Sequence, residues 1–217
     1  MASSNHFTTQ PPYQEAATEV SRQIDFFVVL TATLKSVLFP QFLVRRHLVL
    51  GSDSKDTRRF ADRLDAAKNY GEVWQIVKET VQFALGARRD SMMLFLDDLP
   101  LQLGAYYPVG TNNIVLNRAL VEIVEASVSS KPTVNALVYN LLLHEYLHAL
   151  GDYSEAGVRR GVIDVAAKCF GENHIATVVA RKSPWVLLKD IPLGPRTGPK
   201  RVMQIVKDFE KTSKYIV

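Results

Sequence analysis

The sequence contains almost no cysteine, and this scarcity excludes two ways of stabilising a fold. Cys169 is the only cysteine among 217 residues. The chain therefore forms no internal disulfide and no zinc ribbon built from cysteine ligands. Because a lone thiol is typical of proteins in a reducing compartment, we expect a cytoplasmic protein.

Long apolar runs without interruption are also lacking. The nearest candidate, residues 26–44, has Lys35 at its middle and Pro40 towards its end. A lysine at the centre of a bilayer costs about 2.5–3.5 kcal/mol, and proline breaks a helix. The pattern favours a helix that is buried or covered by a partner over a transmembrane span. The first residues are polar and include Pro11 and Pro12, so we expect no signal peptide.

An excess of charge of one sign is missing as well. Lys and Arg number 26 against 22 Asp and Glu, which gives a formal net charge of +4 and a pI near 9.1. The arginine pairs are scattered and most are interleaved with acids, which is typical of solvated surfaces and argues against a nucleic-acid partner. With 47% hydrophobic residues, the composition is that of an ordinary globular protein.

Histidine is scarce too, yet two of the five histidines fall in one motif. The run is His144-Glu145-Tyr146-Leu147-His148, an H-E-x-x-H pattern. On a helix, positions i and i+4 lie one turn apart on the same face, so both imidazoles can bind one zinc ion. Glu145 follows the first ligand and is the candidate general base for a zinc-activated water.

The surrounding residues predict that the motif lies on a buried helix. No glycine or proline occurs between Thr133 and Leu150, Pro132 suits a helix start, and Gly151 suits the C′ position after the end. Apolar side chains fall on nearly every face of this helix, as in the interior of a domain. A polar trio in such a helix is costly without a partner, which favours a metal site over two core histidines.

A catalytic zinc usually has three protein ligands, so the motif needs a third. His174 is the first choice, because imidazole is the commonest ligand and the intervening helix can fold back. Glu155 and Glu172 are the alternatives, the former requiring a sharp turn after Gly151. The competing interpretation of His174 is a histidine at a helix start that faces water.

Three short apolar runs predict strands, and the remaining periodic segments predict helices. The strand candidates are Ser91–Leu96, residues 105–108 and Asn112–Asn117. Pro108 fits an edge or a strand end better than a central strand. We therefore predict an α+β fold that is mainly helical, with a small mixed sheet packed on the H-E-x-x-H helix.

The chain is expected to form one domain after a short leader. The leader, residues 1–15, is predicted to be disordered. The domain is predicted to cover residues 16–217. It consists of an N-terminal helical part over residues 16–87, a metal-site core over residues 88–182 and a C-terminal extension over residues 183–217. No internal repeat divides it.

The H-E-x-x-H helix and the strand Asn112–Asn117 before it resemble the zincin metallopeptidases. The resemblance covers roughly residues 91–181 and implies a zincin-like domain. In that group the strand before the motif helix is an edge strand that pairs with extended substrate. The resemblance therefore implies that Asn113, Ile114 and Val115 bind substrate.

One branch of the zincins, the metzincins, fits less well. Gly151 stands where that branch has its glycine, but Ser154 occupies the place of its third histidine, and no methionine follows the motif before Met203. The resemblance is closer to a small divergent group, similar to archaeal-type H-E-x-x-H proteins or to zincins with a glutamate ligand.

Two functions follow from these residues. The first is a zinc metallopeptidase that hydrolyses peptide or protein substrates, with Glu145 as base and Tyr153 or Tyr146 as a donor to the oxyanion. The alternative is a non-catalytic, zinc-stabilised interaction protein on a zincin-like scaffold. This alternative rests on the apolar segment 26–44, which can bind a protein partner, a membrane surface or a second copy of the chain.

Overall fold

The computed structural model describes residues 54–189, 191, 199 and 201–210. The predictions for the leader, residues 1–15, and for the apolar segment 26–44 lie outside the described residues. No helix within the described ranges is both long enough and apolar enough to cross a membrane.

Helices dominate the described part of the chain. It contains six α-helices, which are α1 (Ser54–Ala66), α2 (Tyr70–Leu85), α3 (Arg118–Ser127), α4 (Lys131–Ala149), α5 (Glu155–Phe170) and α6 (Ile175–Lys182). A 3-10 helix covers Pro184–Leu188, and the strands are β1 (Met93–Asp97), β2 (Ala105–Tyr106), β3 (Asn113–Asn117) and β4 (Gln204–Ile205). These elements confirm the α+β class and the small sheet.

The sheet is mixed, in the order β2-β3-β1-β4. β1 and β3 run parallel, whereas β2 pairs antiparallel with β3 and β4 pairs antiparallel with β1. In β1, Leu94 and Leu96 are buried, with the exposed Met93 and the less buried Phe95 between them, which is the pattern of a strand with one face against helices. In β3, residues 114–117 are all buried, so this inner strand is covered on both faces.

The sheet order corrects one prediction. Asn113, Ile114 and Val115 belong to β3, which has a neighbour on each side and is an inner strand. The outer strand beside β3 is β2, because the turn after Pro108 folds the chain back along it. The sequence predicted strands at both places, but the order of strands depends on pairing that a local pattern does not encode.

Helix α4, which carries the motif, lies at the centre of the fold. It packs against the other five described helices and against β2 and β3. Leu142, Leu143 and Tyr146 are completely buried, as expected of a helix that is apolar on nearly every face. Buried amides join it to its neighbours, since Asn135 donates to the carbonyl of Leu64 at 2.9 Å.

The C-terminal segment returns to the sheet. The Lys78 ammonium is buried and forms an ion pair with Glu210 and, at 3.3 Å, with Asp90. Phe209 stacks on Trp74 with ring centroids 4.7 Å apart. The part of the extension over residues 201–210 therefore contributes to the core of the domain.

Candidate metal centre

The two motif histidines and one glutamate converge at the end of helix α4. His144 Nε2 and His148 Nε2 are 3.2 Å apart. Glu155, the first residue of α5, places Oε2 at 3.2 Å from His144 Nε2 and Oε1 at 3.2 Å from His148 Nε2. These three half-buried side chains form a His–His–Glu cluster that can hold a metal ion.

A tight turn between α4 and α5 brings Glu155 to the histidines. Gly151 has φ +104°, a left-handed conformation that favours glycine, and its N–H donates to the carbonyl of His148. Ser154 then caps α5, because its hydroxyl accepts a hydrogen bond from the N–H of Gly157 at 3.2 Å. The predicted C′ role of Gly151 is confirmed, and the turn reverses the chain within one helical turn of His148.

Two glycines on α5 allow this helix to approach α4 closely. A Cβ atom on Gly157 would lie 2.7 Å from the carboxylate of Asp152, and one on Gly161 would lie 3.0 Å from Leu147. Neither space admits a larger residue without a shift of its neighbour. The spacing of four residues puts both glycines on the face of α5 that meets the turn and α4.

The hydrogen bond on the far side of the His148 ring fixes its tautomer. His148 Nδ1 lies 2.8 Å from the carbonyl oxygen of Asp152, so Nδ1 carries a proton and donates it. In the neutral ring Nε2 therefore carries no proton. Its lone pair faces the imidazole of His144 and the carboxylate of Glu155. The lone pair of His148 Nε2 and the carboxylate of Glu155 require a positively polarised group beside them, which the N–H of His144, an added proton or a metal ion can supply.

The electrostatics of the cluster agree with that requirement. Hydrogen bonds with His144 and His148 hold the pKa of Glu155 well below its ordinary value, against the opposing effect of burial. Burial by itself lowers the pKa of His148, but Glu155, the charge of Glu145 and the carbonyl of Asp152 outweigh it and raise the pKa. The carboxylate therefore stays charged and attracts a cation.

Glu145 lies beside the cluster but in a drier environment. Its side chain is buried, and burial raises the pKa of the carboxyl, although the nearby His144 and His148 and a main-chain hydrogen bond from Tyr107 act in the opposite direction. Tyr107 immediately follows β2. The glutamate therefore lies between the metal cluster and the strand side of the site.

His174 and Glu172 are not brought to the cluster. His174 caps α6, with Nδ1 accepting from the N–H of Ala176 at 3.1 Å and Nε2 at 3.2 Å from Asp65. Glu172 pairs with Arg181. Helix α5 explains the difference, because its 16 residues span about 24 Å and separate both residues from its first residue. Of the three candidates for the third ligand, the structure therefore brings Glu155 to the two histidines and places His174 and Glu172 elsewhere.

The two tyrosines considered as oxyanion donors have different surroundings. The hydroxyl of Tyr146 is committed to the main chain of Arg89, and the ring is fully buried. It therefore packs the core. Tyr153 lies in the turn between α4 and α5 and is 45% exposed.

Sequence reasoning missed two contributors to the site. Asp152 acts through its main-chain carbonyl, which leaves no signal in residue type. In the sequence Arg89 is only one of two adjacent arginines, whereas in the fold its side chain joins the end of α4 to the strand side of the site. Only the packing of distant segments reveals either role.

Comparisons with known proteins add no family. No family model matches the chain, and neither a curated protein nor a solved structure was found to be similar to it.

Proposed function

We propose that this protein is a zinc-dependent metallopeptidase whose zinc is held by His144, His148 and Glu155. The observation that carries the proposal is the convergence of these three side chains next to Glu145. Two imidazoles and one carboxylate leave one position of a tetrahedron for water or substrate, which is the arrangement of catalytic zinc sites. A glutamate ligand also agrees with the resemblance to glutamate-ligand zincins.

The spacing of the donor atoms supports zinc. Bonds of about 2.0–2.1 Å in a tetrahedral site separate neighbouring ligand atoms by about 3.3 Å. The two imidazole Nε2 atoms are 3.2 Å apart, and each lies 3.2 Å from a different oxygen of the Glu155 carboxylate. The cluster thus has about the size of a zinc site, and its two imidazoles suit zinc, whereas calcium prefers six to eight oxygen ligands.

Each side chain of the site has a separate part in the proposed reaction. Bound zinc supplies a Lewis acid that polarises the scissile carbonyl and acidifies the attacking water. The Asp152 carbonyl keeps His148 in the tautomer that presents Nε2. Glu145 accepts a proton from the water and delivers it to the leaving amine. Its raised pKa suits a group that both accepts and donates a proton.

The strand β2 is the proposed binding edge for an extended peptide. It is the outer strand on the side of the sheet that contacts α4. Main-chain groups of alternate residues on an edge strand point away from the sheet and can pair with an added strand. We therefore transfer the proposed substrate contact from Asn113–Val115 to Ala105–Tyr106.

The proposal is tested by Glu145→Gln. The zinc-loaded wild type is expected to cleave members of an unbiased peptide library. The variant should bind zinc equally well but cleave at least about 100-fold more slowly, because it loses the general base. Glu172→Gln is the control, since that carboxylate pairs with Arg181 away from the cluster. Cleavage by Glu145→Gln at the wild-type rate, or none by the zinc-loaded wild type, would contradict the proposal.

The second candidate is the non-catalytic, zinc-stabilised interaction protein. It is favoured by the position of the cluster, because a metal there would cross-link the end of α4 to the start of α5 and stabilise the fold. X-ray absorption of the zinc-loaded protein separates the candidates. Four protein ligands without water would favour the structural role, whereas three protein ligands and one oxygen from solvent would favour catalysis.

A further inference from the structure

Arg89, in the connection between α2 and β1, reaches three separate segments around the metal centre. Its Nη1 donates to the carbonyl of Ala149 at 2.5 Å and to the hydroxyl of Tyr107 at 3.2 Å. Its Nη2 donates to the carbonyl of Thr111 at 2.9 Å and to Oδ1 of Asn112 at 2.6 Å. One guanidinium group therefore joins the end of the motif helix, the end of β2 and the turn that leads to β3.

The main chain of Arg89 is tied to the same helix. Its N–H donates to the hydroxyl of Tyr146 at 2.6 Å, and this hydroxyl donates back to its carbonyl at 2.9 Å. Tyr146 is fully buried within the motif. The Arg89 main chain is thus held against α4. Its guanidinium group binds Tyr107 and Thr111 and so fixes the strand side relative to that helix.

The acceptors of Arg89 lie next to the groups that the proposed reaction uses. Ala149 directly follows His148, at the helix end where carbonyls lack helical partners and where positive charge is favoured. Tyr107 hydrogen-bonds through its main chain with Glu145. The two sides of the site, one with the metal ligands and one with the strand, therefore meet at Arg89.

We propose that Arg89 is a positioning residue for the metal centre. It fixes the last turn of α4, from which the chain turns to Glu155, and it holds the β2–β3 hairpin at a set distance from that turn. It acts through Ala149 and Tyr107 and not by contact with the reacting atoms. The inference rests on the metal centre of the proposed function, but not on peptidase activity.

The geometry of the contacts requires arginine at this position. The planar guanidinium presents its donors in a fixed fork, and here both terminal nitrogens are used towards different segments. A lysine ammonium is a compact group that can reach the carbonyl of Ala149 or that of Thr111, but not both. A methionine keeps much of the packing volume but leaves all four acceptors without this donor.

The test compares Arg89→Met and Arg89→Lys with Arg88→Met as a matched control. Arg88 is the neighbouring arginine, is 48% exposed, and pairs with Asp90. Each purified full-length variant is checked for folding by circular dichroism and then titrated with Co²⁺. Visible absorption reports the geometry of the Co²⁺ site, which a role limited to fold stability would leave unchanged.

We expect Arg89→Met to bind Co²⁺ about 10-fold more weakly than the wild type and with an altered visible spectrum. Arg89→Lys should fall between the two, and Arg88→Met should match the wild type. Wild-type affinity and spectrum in folded Arg89→Met would overturn the inference. If Arg89→Met does not fold, Arg89→Lys is judged by the same two measurements. Absence of Co²⁺ uptake by the wild type would instead overturn the metal centre of the proposed function.

Discussion

His148 and His174 have nearly the same surroundings at Nε2 but different hydrogen-bond partners at Nδ1. Each side chain is 12% exposed, and each places Nε2 at 3.2 Å from a carboxylate oxygen, of Glu155 and Asp65 respectively. The difference lies on the other ring nitrogen. His148 Nδ1 faces a carbonyl, whereas His174 Nδ1 faces the N–H of Ala176.

That difference decides which histidine has an unused lone pair. At His174 the lone pair of Nδ1 accepts a hydrogen bond, so Nε2 carries the proton and donates it to Asp65, and the neutral ring is satisfied. At His148 the proton is on Nδ1, so the lone pair of Nε2 points into the cluster. A histidine beside a carboxylate is thus a candidate metal ligand only when its second nitrogen is a donor.

The largest expected effect comes from removing the ligand histidine. His148→Ala should weaken zinc binding by more than about 100-fold, because one of three protein ligands is lost. His174→Ala should keep wild-type zinc affinity. Both are measured by competition with a chromophoric chelator. Equal zinc affinity in the two variants would abolish the distinction between the histidines.

The next effect concerns the carboxylate partners. Glu155→Gln should weaken zinc binding by about 10- to 100-fold, because an amide oxygen keeps the shape but loses the charge. Glu172→Gln, at the glutamate that pairs with Arg181, is the control and should bind zinc as the wild type does. A larger loss in Glu172→Gln than in Glu155→Gln would instead favour Glu172, the other glutamate considered as third ligand.

A smaller effect is expected from the turn that orients His148. Gly157→Ala should weaken zinc binding by less than about 10-fold, because its new methyl group meets the Asp152 carboxylate, and a shift of this side chain disturbs only slightly the main-chain carbonyl that holds the His148 ring. Asp152→Ala keeps that carbonyl and removes the obstructing carboxylate. The double variant should therefore bind zinc more tightly than Gly157→Ala alone. Unchanged affinity in Gly157→Ala would show that the turn tolerates the shift.

The smallest effect is on stability at the other histidine. His174→Ala removes the cap of α6 and should lower the free energy of unfolding by about 1 kcal/mol. Urea denaturation of the metal-free protein measures this loss, with the metal-free wild type as reference. A loss as large with His148→Ala in the absence of metal would indicate that both histidines are structural.

The rate at which a reagent labels the Cys169 thiol gives a second way to compare His174→Ala with His148→Ala. The thiol is completely buried beside Phe170, on which His174 stacks, and burial raises its pKa to about 12. Thiolate is therefore scarce at pH 8, and labelling by a thiol reagent requires local opening. His174→Ala should increase the labelling rate, whereas His148→Ala should leave it near that of the wild type.

Much of the architecture could be predicted from local patterns. The helix periods, the Gly151 end of α4 and the short apolar strands all depend on residues close together in sequence, and these predictions are confirmed. The edge position of Asn113–Val115 was wrong, because a local pattern does not encode which strands pair on each side of β3. Whether Glu155, Glu172 or His174 lies beside the two histidines likewise depends on contacts between separate segments.

The sequence by itself determined that two imidazoles and a glutamate share one buried helix. The 3.6-residue repeat of a helix places residues 144 and 148 on the same face, with residue 145 beside them, and this placement depends only on local sequence. Only the tertiary structure decided which further side chains meet them. The close approach of α5 to the turn at Gly157 and to α4 at Gly161, and the contacts of Arg89 with α4 and the β2–β3 hairpin, depend on surfaces that come together when the whole domain folds. A local pattern carries no information about those surfaces, because they are formed by residues far apart in the chain.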